Sequence, residues 1–97
     1  MTGAERGPLR PSRTRRFKQD LERCKKRGYD MDFARVVMGR LIHREPLEPH
    51  HRDHPLKGEW DGHRECHLKP DWLLIYRIHG TQITFERTGR HSDLFDE

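Results

Sequence analysis

The sequence predicts an α+β domain in which a helical hairpin packs on one face of a small, mostly antiparallel sheet. Three observations support this fold class. Apolar residues recur at helical spacing between residues 12 and 44, and they alternate with a period of two from residue 62 onward. Glycine and proline punctuate the segments between them. Helices followed by a run of strands are typical of α+β folds.

The composition fits one small folded domain with a polar surface. The chain has 97 residues, of which 31% are hydrophobic and 37% are charged. A chain of this length buries roughly 60–70% of the surface that its unfolded form exposes, so the core is thin. We expect residues 1–11 to be a flexible or irregular N-terminal segment and residues 12–97 to form the single domain.

Positive charge is concentrated at the front of the chain. The net charge is +4, yet residues 1–28 alone hold ten Lys or Arg residues against three acidic ones. Such a basic segment suits a phosphate backbone or an acidic protein partner. The alternative is an ordinary solvated helix surface.

Neither the cysteines nor the apolar runs point to export or to a membrane. Cys24 and Cys66 stand alone, and two cysteines do not make a small disulfide scaffold. No apolar stretch of a signal peptide follows the basic start. The longest apolar run, residues 72–76, is far too short to span a bilayer. We therefore expect a soluble protein of a reducing cytoplasm with no membrane partner.

Two helices are predicted before residue 45. The first is expected to start at the N-cap Ser12 and to run to Arg27, where Gly28 ends it. The second is expected over residues 31–44 with Asp30 as its N-cap. Each has an apolar stripe at helical spacing, formed by Phe17, Leu21 and Cys24 in the first and by Phe33, Val36, Val37 and Leu41 in the second.

The second half of the chain predicts a loop and then three strands. Residues 45–59 contain three prolines and three histidines, which predicts a long loop of the kind that often carries function. Strands are predicted at 63–67, 72–79 and 82–88, with turns at residues 69–71 and at Gly80. The segment 88–95 is expected to be a loop or a short helical turn.

Eight histidines raise the question of zinc. His63 and His67 share one face of a predicted strand, but four residues of strand separate them by about 13 Å. Ligands of one zinc ion cannot lie so far apart. His50, His51 and His54 could bind a metal in the loop, but no Cys or carboxylate stands at the usual ligand spacing. We predict no metal and no cofactor, and a small zinc protein remains an alternative.

The second possibility for the histidines is acid–base catalysis. Imidazole titrates near neutrality, so one histidine can accept a proton while another donates one. RNA carries its own nucleophile, the 2′-OH, and its cleavage needs a base, a cation and an acid but no metal. His67, Asp71, Arg87 and His91 flank the turns and ends of adjacent strands, which an antiparallel meander brings together. Eight surface histidines without a shared role are the alternative.

Three ordered motifs give a resemblance to a known family. H-P-L-x-G-x-W, R-x-x-H-x-x-P-D-W-x-L-I-Y and R-T-G-x-H-x-x-L-F all lie within residues 53–95. Together they resemble the YafQ branch of the RelE-type toxins of bacterial toxin–antitoxin systems, while the first 50 residues match only in plan. Members usually begin with a clean edge strand. Pro8 and Pro11 disturb that region here, so we expect the first strand to be shortened, shifted or missing.

The resemblance implies a RelE-like microbial RNase fold and a ribosome-dependent endoribonuclease that cuts mRNA and halts translation. It also implies a cognate antitoxin as partner, besides the ribosome and mRNA. By motif position, it implies His54, His67, Asp71 and His91 as the catalytic residues. We expect His54 or His67 to take the 2′-OH proton, Asp71 to orient a base, and His91 to be the general acid.

Three further residues complete the predicted site. The resemblance implies that Phe95 helps to place the scissile nucleotide and that Trp72 borders the site, and Arg87 is expected to bind the scissile phosphate. The remaining histidines, which have no motif position, are expected on the surface: His43, His50, His51, His63 and His79. The alternative function is a catalytically silent RNA- or protein-binding module on the same scaffold.

Overall fold

A five-stranded mixed sheet with two helices on one face forms the protein. The structure is a computed structural model, and it describes residues 7–95. The elements in chain order are β1 (Arg10–Arg13), α1 (Arg15–Lys26), α2 (Met31–Ile42), β2 (His54–Pro55), β3 (Arg64–Lys69), β4 (Trp72–His79), β5 (Gln82–Gly89) and α3 (His91–Phe95). The predicted loop 45–59 also contains two 3₁₀ turns, Pro49–His51 and Gly58–Trp60.

The sheet has the strand order β1-β5-β4-β3-β2. β1 runs parallel to β5, and the other neighbouring strands are antiparallel. This confirms the predicted α+β fold with a mostly antiparallel sheet. Within residues 7–95, no helix is long and apolar enough to cross a membrane.

The two long helices form the predicted hairpin, but α1 begins later than predicted. Its N-cap is Thr14, whose hydroxyl accepts a backbone N–H of the first turn at 3.0 Å. Ser12, the predicted cap, lies in β1, where its Oγ is 2.9 Å from Oγ1 of Thr84 on β5. Asp30 caps α2 as predicted, with a backbone N–H bonded at 3.0 Å.

The start of the chain differs from the irregular segment predicted for residues 1–11. Leu9 is buried, and its N–H donates to the carbonyl of Ile42 at 2.7 Å. Arg10 and Pro11 belong to β1. Proline is tolerated there because an edge strand leaves one row of backbone groups unpaired. The first strand is therefore present but short, and residues 1–6 of the predicted segment lie outside the described residues.

The two faces of the sheet carry different clusters. Trp72, Leu74 and Tyr76 of β4 pack against the helices in the main core. Leu73 and Ile75 point to the opposite side, which we call the open face, where they form a smaller cluster with Leu94 of α3, and Leu56, Trp60 and Phe95 pack against it. This alternation along β4 is the predicted one.

A bulge in β5 changes which side chains face the helices. Tyr76 pairs with Phe85, whereas its neighbour Ile75 pairs with Arg87, so one extra residue is accommodated in β5. Phe85 faces the core before the bulge. Beyond it, Thr88 stands opposite core residue Leu74. The period-two alternation predicted from residue 62 onward is therefore interrupted in β5 after Phe85.

A buried ion pair joins α1 to the end of β5. Nε of Arg87 donates to Oδ2 of Asp20 at 2.6 Å, and Nη2 donates to Oδ1 at 3.2 Å. The same carboxylate accepts the backbone N–H of Thr88 at 3.1 Å. β1 pairs with β5 only as far as Phe85, so Asp20 satisfies an edge N–H that no strand reaches.

Candidate active site

The turn between β3 and β4 meets the start of α3 through Asp71 and His91. Nδ1 of His91 lies 3.2 Å from Oδ1 of Asp71, and the backbone N–H of His91 donates to the same oxygen at 3.5 Å. The hydrogen bond from His91 lowers the pKa of Asp71 below its ordinary value. An ionised Asp71 holds the ring with a proton on Nδ1, which leaves Nε2 for a substrate.

The position of His91 depends on how α3 is anchored. The helix has five residues, and its Asp93 accepts two hydrogen bonds from Arg27, the C-cap of α1, at 2.8 and 3.2 Å. Asp93 also accepts the backbone N–H of Arg90 at 2.8 Å. The Arg27 guanidinium holds the pKa of Asp93 well below its usual range. A short helix of this kind has little stability of its own, so these contacts fix it.

His67 lies on the open face beside His91. It stands opposite Leu73 in the β3–β4 register, and its ring centroid is 6.0 Å from that of His91. Burial lowers the pKa of His67, and the nearby positive charge of His91 adds to this effect while Glu65 opposes it. A histidine with a lowered pKa is neutral at pH 7 and can accept a proton.

The backbone of His67 is held from the loop side. Nδ1 of His51 is 2.6 Å from the carbonyl oxygen of His67, and His51 is only 6% exposed. The Nδ1 atom of His67 itself is buried and has no hydrogen-bond partner among the described residues. Such an unpaired polar atom is uncommon in a folded protein, and Nδ1 of His63 is a second one among the described residues.

His54 stands between two acceptors at the edge of the sheet. Its Nδ1 is 2.6 Å from the carbonyl oxygen of Arg52, and its Nε2 is 3.4 Å from Oε1 of Glu65. Glu65 is 5% exposed, and it pairs with His54 across β2 and β3. Both ring nitrogens of His54 therefore face hydrogen-bond acceptors of the protein.

Glu65 was not among the predicted site residues. It precedes His67 by two positions on β3, so both side chains point to the open face. Strand alternation alone could have placed it there, but it has no role in the motifs considered. Its carboxylate lies 3.4 Å from Nε2 of His54, and its negative charge opposes the lowering of the pKa of His67 by burial.

Phe95 provides an apolar surface next to the imidazole of His91. It follows His91 by four residues, so both lie on one side of α3. Their ring centroids are 6.2 Å apart, and Phe95 packs partly buried against Leu73, Ile75 and Leu94. The structure thus brings Phe95 to the same face as His54, His67 and His91, which we call the imidazole cluster.

Trp72 lies on the other side of the sheet. It is 3% exposed, its Nε1–H donates to Oγ1 of Thr88 at 3.0 Å, and its ring packs edge-on against Tyr29 at 4.9 Å. The expectation that Trp72 borders the site does not fit this placement. Its side chain belongs to the core beneath the helices, as tryptophan in a strand commonly does.

Arg87 is also placed away from a substrate. Its guanidinium is bound to Asp20, and the side chain is 8% exposed. The expectation that it contacts the scissile phosphate does not fit this geometry, because its charge is already neutralised inside the protein. The difference follows from Asp20 of α1, a buried carboxylate 67 positions away whose contact with Arg87 the motif spacing does not indicate. The exposed cations closer to the cluster are Arg52, whose charge lowers the pKa of His67, and Arg90, whose charge lowers that of Asp71.

Two of the histidines expected on the surface are not exposed. His51 is buried against Phe33, with ring centroids 6.0 Å apart. His63 is 17% exposed, and its Nε2 is 3.5 Å from Oε2 of Glu86. Within residues 7–95, no three His, Cys, Asp or Glu side chains are grouped so that they could hold a metal ion.

The fold and the site together define a small α+β protein that brings three imidazoles, of His54, His67 and His91, together with the carboxylates of Glu65 and Asp71. This arrangement suits acid–base chemistry. A family model described as "Bacterial toxin of type II toxin-antitoxin system, YafQ" matches residues 9–96. The chain belongs to this family of toxins.

Relatives and solved structures agree with that assignment. The chain is 41% identical over 80 residues to the mRNA interferase toxin YafQ of Escherichia coli K12, covering 81% of this chain and 87% of the relative. It is similar to the toxin in the E. coli DinJ-YafQ toxin-antitoxin complex, with a TM-score of 0.84, 37% identity, and coverage of 91% and 98%. A metal-bound toxin from Helicobacter pylori gives a TM-score of 0.84, 42% identity, and coverage of 90% and 99%.

Proposed function

We propose that this toxin, an endoribonuclease of the mRNA interferase class, cuts mRNA on the ribosome by acid–base catalysis that needs no metal, and so inhibits translation. The observation that carries the proposal is the meeting of His67, His91 and Asp71 on the open face. The two imidazole ring centroids are 6.0 Å apart, and one ring is hydrogen-bonded to a carboxylate. At this separation one imidazole can remove a proton and the other can donate one at the same phosphate group.

The proposed reaction is attack of the 2′-oxygen on the adjacent phosphorus. A base removes the 2′-OH proton as the new P–O bond forms, and an acid protonates the 5′-oxygen as its bond to phosphorus breaks. The products are a 2′,3′-cyclic phosphate and a free 5′-OH. RNA supplies the nucleophile, so the protein has only to move two protons and stabilise the negative charge that builds up on the phosphate.

His67 is the proposed base and His91 the proposed acid. The lowered pKa of His67 keeps its ring neutral and able to accept a proton. Asp71 orients His91 and stabilises its protonated form, so that Nε2–H can be delivered to the leaving oxygen. Each proton-transfer group contributes on the order of 10²–10⁴ in rate.

His54 is better suited to stabilise charge than to act as the base. Its two nitrogens face the Arg52 carbonyl and the Glu65 carboxylate, so neither is free to accept the 2′-OH proton while these contacts last. A cation beside the scissile phosphate stabilises the additional negative charge of the transition state. Arg52 and Arg90 are exposed and can add to this charge, while Arg87 supports β5 from within.

Phe95 is proposed to hold the scissile nucleotide. Its half-buried ring lies 6.2 Å from that of His91, so a base packed on it would bring the adjoining phosphate to the imidazole cluster. Stacking of a base on an aromatic ring is worth about 1–3 kcal/mol. Trp72 is too deeply buried to contact a nucleotide, and it stabilises β4 from the core side of the sheet.

Two macromolecular partners complete the proposal. The solved E. coli DinJ-YafQ complexes support a cognate antitoxin for this chain as well. Helix α1 carries six Lys or Arg residues against two acidic residues, and one of those acids, Asp20, is buried. The exposed side of α1 is therefore strongly basic and suits ribosomal RNA, a contact that weakens steeply with salt.

The experiment is expression of the chain without an antitoxin, followed by mapping of mRNA 5′ ends. We expect clustered, in-frame cuts in translated regions for the wild type. His67→Ala and His91→Ala should abolish the cuts while ribosome binding and the fold persist. Cuts that continue in both variants would contradict the enzymatic proposal, and a wild type that binds RNA without cutting would favour a catalytically silent binding module.

The role of metal can be tested in the same system. Purified toxin, programmed ribosomes with their magnesium retained, and a transition-metal chelator are combined, and cleavage is followed with time. We expect the same rate with and without the chelator. A rate that falls on chelation and returns with added metal would show that the catalysis depends on a metal ion. The test is included because one similar structure is a metal-bound toxin from Helicobacter pylori.

A further inference from the structure

A cavity adjoins the proposed active site at the edge of β3. Its volume is about 370 Å³, and it lies between the start of α2, the turn at Pro49–His51 and the turn between β3 and β4. His67 forms part of its wall. Lys69 and Pro70, which also line it, immediately precede Asp71, so the cavity is continuous with the imidazole cluster.

The walls combine apolar surface with positive charge. Phe33, Leu68 and Pro70 supply the apolar part, and Arg52 and Lys69 supply the cations. The ammonium group of Lys69 lies 4.1 Å from the centroid of the Phe33 ring, a cation–π contact. The lining residues, all within the described part of the chain, include no carboxylate.

This combination fits one nucleotide. The volume lies near the lower end of the roughly 300–1,000 Å³ that small-molecule sites occupy. A nucleobase presents a flat apolar face that packs on aromatic rings, and its phosphate is attracted to Arg and Lys. Lys69 is exposed, and a lysine ammonium stands on a flexible four-carbon stem, so it can leave the Phe33 ring for a phosphate when a base takes its place.

We propose that this cavity binds the base of the nucleotide next to the scissile one and sets the sequence preference at that position. The inference rests on the proposed function, because His67 belongs both to the wall of the cavity and to the proposed catalytic site. Phe33 and Leu68 hold the base, and Arg52 and Lys69 hold a phosphate. Phe33 comes from α2, outside the three motifs that carry the catalytic residues.

The test compares cleavage kinetics of Phe33→Ala and Lys69→Ala with the wild type. The substrates are ribosome-bound mRNAs in which each base flanking the cut is varied in turn. We expect Phe33→Ala to raise KM about 5- to 100-fold for the preferred base with little change in kcat, as the loss of one stacking contact implies. The preference at one flanking position should disappear. Arg40→Ala, which removes an exposed charge near the far end of α2, is the control and should behave as wild type.

The outcomes separate this inference from the proposed function. If the wild type cuts and both variants keep its KM and base preference, the inference fails while the nuclease proposal stands. Lys69→Ala decides the matter if Phe33→Ala does not fold, because Lys69 is exposed. If the two variants weaken antitoxin binding but leave the KM for RNA unchanged, the cavity holds a protein segment and the inference is wrong.

A second measurement covers the case in which the wild type cuts no RNA. A dinucleotide that carries 2′-deoxyribose at the scissile position binds without reacting, and NMR shifts of the protein report its place. Binding by the wild type that Phe33→Ala loses would support the cavity as a nucleotide site although the nuclease proposal had failed. Absence of binding by the wild type would overturn the inference.

Discussion

Gly89 lies so close to Asp93 that a Cβ atom at position 89 would stand 2.9 Å from the carboxylate oxygen Oδ2. Its φ of +153° is also one that residues with a side chain rarely adopt. The same carboxylate binds Arg27 and the N–H of Arg90. The residue type at position 89 therefore controls how α3, and with it His91, is seated on the sheet.

Gly89→Ala should destabilise the protein by about 1–3 kcal/mol, because the new methyl group must displace Asp93 and adopt a strained backbone. Urea denaturation followed by circular dichroism measures this loss. Gly39→Ala is the matched control, since a Cβ there meets no atom within 4 Å and α2 gains helix propensity. It should stabilise the protein by up to about 1 kcal/mol. Equal effects of both changes would contradict the role given to Gly89.

The ion pair between Asp20 and Arg87 gives the second prediction. Asp20→Ala leaves a buried guanidinium without its partner and an unsatisfied N–H at Thr88, and such losses amount to about 3–5 kcal/mol. The free energy of unfolding measures the effect. Asp32→Ala is the control because Asp32 and its partner Arg35 are both exposed, and a surface pair of this kind contributes about 0–1 kcal/mol. A small loss for Asp20→Ala would mean that Arg87 is free to reach solvent.

This pair also shows where sequence reasoning stops. The motif R-T-G-x-H places Arg87 near His91 along the chain, and the antiparallel meander was expected to bring His91 close to Asp71, where the structure has it. The motif did not reveal the bulge between Phe85 and Arg87, because a bulge depends on how two strands pair and not on the residues of one strand alone. Nor did it reveal the partner of Arg87, because Asp20 lies 67 positions away on α1 and spacing within the motif cannot encode that contact.

The fold was predictable for a simpler reason. Helix caps, turn residues and the alternation along β4 are local, and they gave the hairpin, the strands and the two faces of the sheet. Pairing of β1 with β5 is not local, and two prolines obscured it. Burial of His51 likewise depends on how the loop 45–59 packs on α2, which spacing along the chain does not encode. Local patterns thus placed the elements, while long-range packing decided which polar side chains are exposed.

The lowered pKa of His67 gives the third prediction. Its pKa in the folded state lies below the ordinary value of about 6.5 that it has when unfolded. As pH falls below that value, the unfolded state binds the proton first, and stability is lost down to the folded-state pKa. The wild type should therefore lose stability relative to His67→Gln as the pH is lowered from 7.5 to 5. Thermal unfolding across this range measures the difference.

The same shift shapes the pH dependence of cleavage if His67 is the base. Because the base must be neutral, kcat/KM should rise with pH through a midpoint below about 6.5. His79→Gln, at the exposed end of β4, serves as the control and should leave the profile unchanged. A rising limb centred well above neutrality would indicate that a different group takes the 2′-OH proton.

The last prediction concerns whether Asp71 acts through His91. If the carboxylate only orients and stabilises the imidazolium, its loss matters only while the imidazole is present. Asp71→Ala alone should reduce kcat, by less than the 10²–10⁴-fold expected for His91→Ala. In the double variant, Asp71→Ala should then have no further effect. Asp61→Ala, at an exposed loop position, is the control and should leave kcat unaltered in either background. Independent, multiplicative losses in the double variant would instead show that Asp71 touches the reacting atoms itself, because the carboxylate would then contribute even where no imidazole remains for it to hold.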